Sequence, residues 1–584
     1  MKLNKYLTAL FCAIIMMFSS CGEDFLYRAP LGSVDKEVLK TAQGVDMLII
    51  TAYGTLTSAG GWGSTPFNWT FGSMYGGDAN KGSDTGDQSV LNEMEAYTVT
   101  ASNGYLNEKW QWVYRGNKRV EIALQVLEEV EDMDATLKRT REGELCFLRA
   151  LFYFEGVKVF GPYMPYIDES NTDNDPKIYN DKDIYPNIIA DIDRAIANLP
   201  DRPTELGRTY KWAAITLKAK ILLQQSSSNM GTAKALLADV LNNGSTASGL
   251  KYALSEDLNS NWDAAWDNKS PESIFEIQFS NDGNDNGNNA MSICYPHNGG
   301  PGGCCGFFQP SFELVNSYQV DDNGLPFLNN EYRTRPSVTT LTGEAPPNIS
   351  VNNATIAVDP RLDFGVGRVG IPYKDYGPTS GVWIRDVDNG GCFLPKKHVY
   401  FARDEGTIGR GGMNGGWAPG SAMNIQYLSV RDAMLLYAEC LANDGDLAGA
   451  MGYVNIVRER AANPVNIIML DGSPAANYKV SQYPASHAAF SDKETCIKAI
   501  RMERKLELAM EGQRWFDLVR WGGDYMSQAI ADYLRYESQF IGKFNNLVPL
   551  AANKTMFPIP TLQISNMGND ENGNPYLVQP APFK

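Results

Sequence analysis

The stretch from Gly143 to Tyr166 reads GELCFLRALFYFEGVKVFGPYMPY. It predicts a helix from about Glu142 to Phe160, ended at Gly161-Pro162, because proline cannot continue the helical hydrogen-bond ladder. Upstream, Trp110, Val113, Tyr114, Val120, Leu124, Leu127 and Val130 recur at helical spacing. Further upstream, Thr41 to Thr57 reads as another helix. Downstream come Ile184 to Asn198, ended by Leu199-Pro200, then Tyr210 to Gln225, then a shorter segment from Thr232 to about Leu241. The N-terminal half is a chain of helix hairpins. A period of roughly 34 residues, with small residues inside the helices, fits a degenerate tetratricopeptide-type array.

Two regions break this pattern. Residues 60–105 are rich in Gly, Ser, Asn and aromatics and read as long loops inside the scaffold. Residues 255–426 lose helical periodicity altogether; Ile274 to Phe279 predicts a strand, and Trp262 and Trp266 read as core residues of a helical turn. Loops this long in a globular chain are usually functional. Helices return at Tyr427 to Leu441, Leu447 to Ala461 and Thr495 to Val519. The expected class is mainly α, a helix-hairpin scaffold with a loop-rich insertion carrying short strands. It divides into 41–254, the ligand-binding insertion 255–426, and 427–584 completing the scaffold.

The N-terminus carries a separate signal. Lys2 and Lys5 precede an apolar run from Tyr6 to Phe18, too short to span a bilayer comfortably. Phe18-Ser19-Ser20-Cys21-Gly22 follows and resembles a bacterial lipobox. Residues 1–20 then form a lipoprotein leader, Cys21 becomes the lipidated N-terminus, and 21–40 is the tether. Several acyl chains give stable anchoring where one does not. The alternative is an ordinary secreted protein with an incidental Cys21.

A formal net charge of −17 argues against nucleic acid as a partner. Of the nine cysteines, Cys146, Cys440 and Cys496 lie in helical patterns and read as buried hydrophobes. Cys294, Cys304, Cys305 and Cys392 lie in loops, where some could pair, with no connectivity deducible. The three histidines, His297, His398 and His487, form no HExxH pair. Gly365 to Gly370 fits G-x-G-x-x-G, but Ile371-Pro372 follows where a dinucleotide site needs a helix. Asp282, Asn284, Asn286 and Gly287 mimic half a calcium loop, with Ile293 where the bidentate Glu belongs. Nothing singles out a catalytic residue, a metal site or a cofactor. In the segment from Glu503 to Trp521, Glu507, Glu511, Arg514, Asp517 and Arg520 sit three or four apart on a helix and read as a satisfied ion network locking that helix to the scaffold, the alternative being a ligand or catalytic site.

Several of these stretches, in order, resemble the SusD/RagB family: Lys109 to Asn117, Gly143 to Tyr166, Tyr185 to Pro200, Gly207 to Leu223, Tyr427 to Glu439, Tyr453 to Ala461 and Phe557-Pro558-Ile559-Pro560. The most specific is ERKLELAMEGQRWFDLVRWG, residues 503–522. Asn574-Pro575-Tyr576 matches the family's tail only in part. The resemblance implies a tetratricopeptide-like scaffold with an irregular glycan-binding face. It also implies a lipid-anchored, surface-exposed place on the outer membrane and a TonB-dependent SusC-like barrel as partner.

Sugars present apolar C–H faces, which rings stack on, and hydroxyl rims, which polar side chains bond. Two regions offer both. The first, from Gly61 to Asp84, contains Trp62, Trp69, Tyr75 and Asn80; the second contains Tyr295, Trp383, Arg385 and Trp417. These eight are the expected glycan contacts, with His297, Phe307 and Phe308 in the same loops. The resemblance favours a structural turn for Asp78 and Lys81. Peptide uptake and surface glycan hydrolysis remain alternative readings.

Overall fold

Asn103 and Asp134 start the two longest helices. The Asn103 side chain accepts from the Tyr105 N–H at 3.1 Å, and Asp134 accepts from the N–H groups of Thr136 and Leu137, satisfying donors that helix geometry leaves free. The computed structural model describes residues 39–57, 61–173, 175–280, 289–297, 299–342, 348–351, 355–413 and 418–584. Cys21, the calcium-like residues Asp282 to Gly287 and Trp417 lie outside these residues.

The longer helices are α1 (Ala42–Gly54), α2 (Gly104–Glu129), α3 (Ala135–Phe160), α4 (Tyr185–Asn198), α5 (Lys211–Gln225), α6 (Met230–Asn243), α7 (Val430–Asn443), α8 (Leu447–Ala461), α9 (Lys493–Glu507), α10 (Arg514–Arg520) and α11 (Gly523–Glu537). Every residue of α3 from Gly143 to Phe160 is buried, and its charged members Glu144, Arg149, Glu155 and Lys158 are each paired. Its neighbour α2 crosses closely at Gly116, where a β-carbon would sit 2.5 Å from the Phe152 ring. From α2 to α6 each helix packs on the next; α6 then packs on α7, and α7 on α8 and α9. The two ends of the scaffold therefore form one array, and the insertion leaves and rejoins it at a single neck. There β2 (Ser273–Ile277) pairs antiparallel with β4 (Ile425–Ser429), Ile277 opposite Ile425.

That neck corrects the expected helix start at Tyr427. Ile425 to Leu428 pair as a strand, and α7 begins at Val430; a short apolar run reads the same in either state until its partner is known. The expected helix over Thr495 to Val519 is also two helices. Met510 at φ +62° and Gly512 at φ +71° turn the chain between α9 and α10, and a β-carbon at 512 would strike the Phe67 carbonyl oxygen. Trp262 is buried as expected, but Trp266 is 44% exposed.

The ion network ties α9, α10 and the turn between them to other elements of the fold, as that reading expects. Glu507 binds Arg460 (2.5 Å) and Arg361 (3.0 Å), Glu511 binds Lys397 (2.7 Å) and Arg431 (3.0 Å), and Arg504 binds Asp517 and Asp432. Arg520 binds Glu439 and, within α10, Asp517. Arg361 and Lys397 come from the insertion, so these buried pairs join it to α9 and to the turn that follows it. A second buried centre lies inside the array. Glu155 of α3 accepts from Lys109 (3.0 Å), Lys158 (2.5 Å), Asn68 (2.8 Å) and Tyr427 (2.7 Å). Burial pushes its carboxyl up, but Lys158 and Lys109 outweigh it and hold the group at about 2.

Candidate binding site

Strand β1 (Ala79–Gly82) pairs antiparallel with β3 (Phe307–Pro310), Asn80 opposite Gln309 and Gly82 opposite Phe307. This pairing brings together the two loop regions, separated by more than half the scaffold in sequence. The loop after β1 is built by Lys81, whose buried ammonium donates to the carbonyls of Asp84, Thr85 and Asp87. Lys81 is thus a turn-former, as the resemblance implies. Asn389 donates to the carbonyls of Gly82 and Ser83 from the other side.

Arg385 crosses this loop. Its guanidinium donates to the Ser83 hydroxyl (2.8 Å) and to Asp87 (2.6 Å), and pairs with Asp84. Beside it, the backbone N–H of His297 donates to the Trp383 carbonyl (2.9 Å). The Trp383 ring stands edge-on to buried Tyr373 and is itself half-buried. Trp62 is also half-buried, and its indole N–H donates to Ser292 Oγ (3.2 Å), in the segment leading to Tyr295 and His297. Cys304 and Cys305 are joined to each other in a glycine-rich turn, with the Cys304 N–H donating to the Pro296 carbonyl. Cys294 and Cys392 are buried free thiols. The described rim therefore contains Trp62, His297, the adjacent disulfide, Trp383 and Arg385.

Four expected contact residues do not reach this rim. Trp69 is fully buried between Tyr105, Phe307 and Phe308. Tyr75 is packed on Tyr97, Trp515 and Phe557. Tyr295 is buried against His398 and Tyr400. Asn80 spends its amide on Glu537 (2.8 Å) and the Gly390 carbonyl, and accepts from Tyr533 (2.8 Å). Large rings in a Gly-rich segment here fill the space the short side chains leave. Phe307 and Phe308 are buried for the same reason. Trp62, Trp383 and Arg385 keep access. Asp87 was not singled out by sequence reasoning, and Cys304 and Cys305 were named only among four loop cysteines with no connectivity deducible.

Neighbours set the charge of the rim's ionisable groups. The Asp87 N–H and Arg385 hold the Asp84 carboxyl below its usual range, against slight burial. Burial and Arg385 push the His297 imidazole down, against the pull of Asp84, so it is neutral near pH 7 and offers one donor and one acceptor. Among the described residues, no group of His, Cys, Asp and Glu could hold a metal ion, and no helix is long and apolar enough to cross a membrane.

The architecture is that of a helical-repeat scaffold presenting one loop-built face. The SusD family model matches residues 271–576, and a second model, described as starch-binding associating with outer membrane, matches residues 66–223. The chain belongs to the SusD family. A SusD-like protein of Bacteroides ovatus is 24% identical over 536 residues, covering 87% of this chain and 80% of that protein. A SusD superfamily protein from Bacteroides vulgatus superposes with a TM-score of 0.65 at 19% identity, over 92% of this chain and 98% of the other. Surface glycan-binding protein A from Bacteroides thetaiotaomicron, in complex with laminarihexaose, does so with a TM-score of 0.61 at 18% identity, over 92% and 99%.

Proposed function

We propose that the protein captures oligo- or polysaccharide at the cell surface without cleaving it. The ligand passes to a TonB-dependent SusC-like barrel in the outer membrane, where lipid on Cys21 tethers the protein. The observation that carries this reading is the rim itself. The half-buried rings of Trp62 and Trp383 stand in a face with Arg385, whose guanidinium is fixed by Ser83 and Asp87, and with His297, whose backbone is tied to Trp383. Rings held this way suit C–H faces, and fixed polar groups suit hydroxyls. Membership of the SusD family and the laminarihexaose complex of a structural relative support the same ligand class.

The test is a binding screen of soluble glycans against peptides with the whole chain. Retention of a glycan without release of new reducing ends supports capture. A peptide preference, or cleavage that depends on a rim carboxylate, overturns it. Cys21→Ala should leave the membrane fraction when the barrel is absent; a variant that stays there removes the lipid from the account. Co-purification of the parent with a barrel of the SusC kind tests delivery.

A further inference from the structure

One member of the expected ion network has no partner within it. Arg514, at the start of α10, makes no hydrogen bond or ion pair among the described residues; its guanidinium lies over the Trp521 ring at 5.7 Å. It faces a cavity of about 120 Å³ enclosed by α10, α11, the end of α9 and the turn before β1. At about 30 Å³ per water that volume is roughly four waters, room for the hydroxyl-bearing edge of a sugar ring.

Across the cavity stands Asp78. Its side chain is 2% exposed, and its Oδ1 has no hydrogen-bond partner. Such atoms are rare, because a buried unpaired oxygen keeps its desolvation cost. Burial pushes the Asp78 carboxyl up to about 6, against the pull of Arg514, Lys505 and the nearby Met510 N–H. Arg514 acts on Asp78 through space but does not touch it. The other charges lining the cavity are already matched. Arg333 is paired with Glu313 and Asp532, and Lys505 with Glu313 at 3.0 Å.

A group filling the gap must donate to Asp78 and accept from Arg514. An anion meets Asp78, Glu313 and Asp532; a cation meets Arg514, Lys505 and Arg333. A hydroxyl does both jobs without charge, and adjacent hydroxyls do so at two points. Tyr525, 37% exposed, also lines the cavity, with the Arg501 guanidinium over its ring at 4.2 Å.

We propose that this cavity is a second binding site, one that takes the hydroxyl-bearing edge of a single neutral sugar ring, or a polyol of similar size, between Asp78 and Arg514. The site sits at the N-terminal end of β1, whose C-terminal end leads into the rim described above. It is built from different side chains, and the inference stands whether or not that rim binds glycan.

The experiment uses the whole chain with labelled Ala and Met methyl groups, titrated with glucose, galactose, mannose and glucuronate. A saturable shift of the Met510 and Ala529 signals with at least one neutral hexose is expected, with glucuronate weaker. Asp78→Asn and Arg514→Gln should each weaken that binding roughly tenfold, the loss typical of a charge-assisted hydrogen bond. Ala529→Leu, which fills the cavity and leaves both charged groups in place, should abolish it with the fold intact. Trp383→Ala should leave it unchanged. If no hexose shifts these signals, if the shift survives Ala529→Leu, or if glucuronate binds more tightly than every hexose, the proposal is wrong. Loss of oligosaccharide binding in Trp383→Ala with the hexose shift retained separates this site from the rim.

Discussion

The Arg385 guanidinium donates to the Asp87 carboxylate at 2.6 Å, across a sequence separation of 298 residues. This bond fastens the loop after β1 to the segment that carries Trp383. Both partners are partly exposed, with side chains 29% and 31% accessible.

Arg385→Ala should therefore cost little stability, about 1 kcal/mol or less, as exposed ion pairs generally do. Glycan binding should fall by several-fold, because two loops of the rim lose their tie. Urea unfolding and calorimetry on the same variant separate the effects. A large stability loss would place Arg385 in the core of the fold instead.

Glu155 behaves differently, because everything around it is buried. Removing one member of a buried pair costs roughly 3–5 kcal/mol. Lys109→Ala leaves Glu155 with Lys158, whereas Glu155→Ala leaves two buried ammonium groups facing each other. Glu155→Ala should be the more destabilising of the two in urea unfolding; the reverse order would mean that Lys109 matters for packing more than for charge.

Stability should depend on pH in two opposite ways. Glu155, Glu313 and Glu507 are held at about 2, below the ordinary 4.5, because cationic neighbours outweigh burial. Their contribution is present above about 4.5 and is lost as pH falls towards 2. Glu537 goes the other way. Burial raises it to about 7, although Asn80 and the N–H groups of Phe312 and Glu313 donate to it. Its contribution is complete below 4.5 and declines as pH rises through 7. Melting temperatures measured from about pH 5 to 8 should slope downwards on this account, and Glu537→Gln should make the slope shallower without removing it, because burial also raises Asp78, Glu121 and Asp267. An unchanged slope in that variant would assign it to another group.

The scaffold was legible because helices declare themselves locally. Residues 143–166 carry their period and their Gly161-Pro162 stop in the sequence itself, and α8 lies at Leu447–Ala461 as the spacing predicts. The break at 508–513 was not legible, since Gly512 is required by the Phe67 carbonyl, a contact made only in the fold. The site was half legible. Gly and Asn around an aromatic mark a loop, yet they do not say whether its ring turns out or in. Trp62 and Trp69 are seven residues apart, and the Trp69 indole donates to the Trp62 carbonyl. One is half-buried and the other sealed, because β3 places Phe307 and Phe308 over Trp69 alone.

That contrast gives the final prediction. Trp69→Ala should destabilise by roughly 3–5 kcal/mol, the usual cost of emptying a buried ring site. Any loss of binding should follow the loss of fold. Trp62→Ala and Trp383→Ala remove half-buried rings, so each should change stability less. They should instead weaken glycan binding, and more so for longer chains. A monosaccharide can cover one ring at a time, whereas an oligosaccharide can engage both, and the second contact is made at high effective concentration. Weak individual contacts also keep release fast, which suits a protein that must pass its ligand on. Calorimetry with oligosaccharides of increasing length is the measurement. In the parent, affinity should rise with length and then level off once the rim is covered. In either tryptophan variant the rise should be shallower. If both variants follow the parent at every length while Trp69→Ala remains folded and loses binding, the ligand is held on another face of the protein.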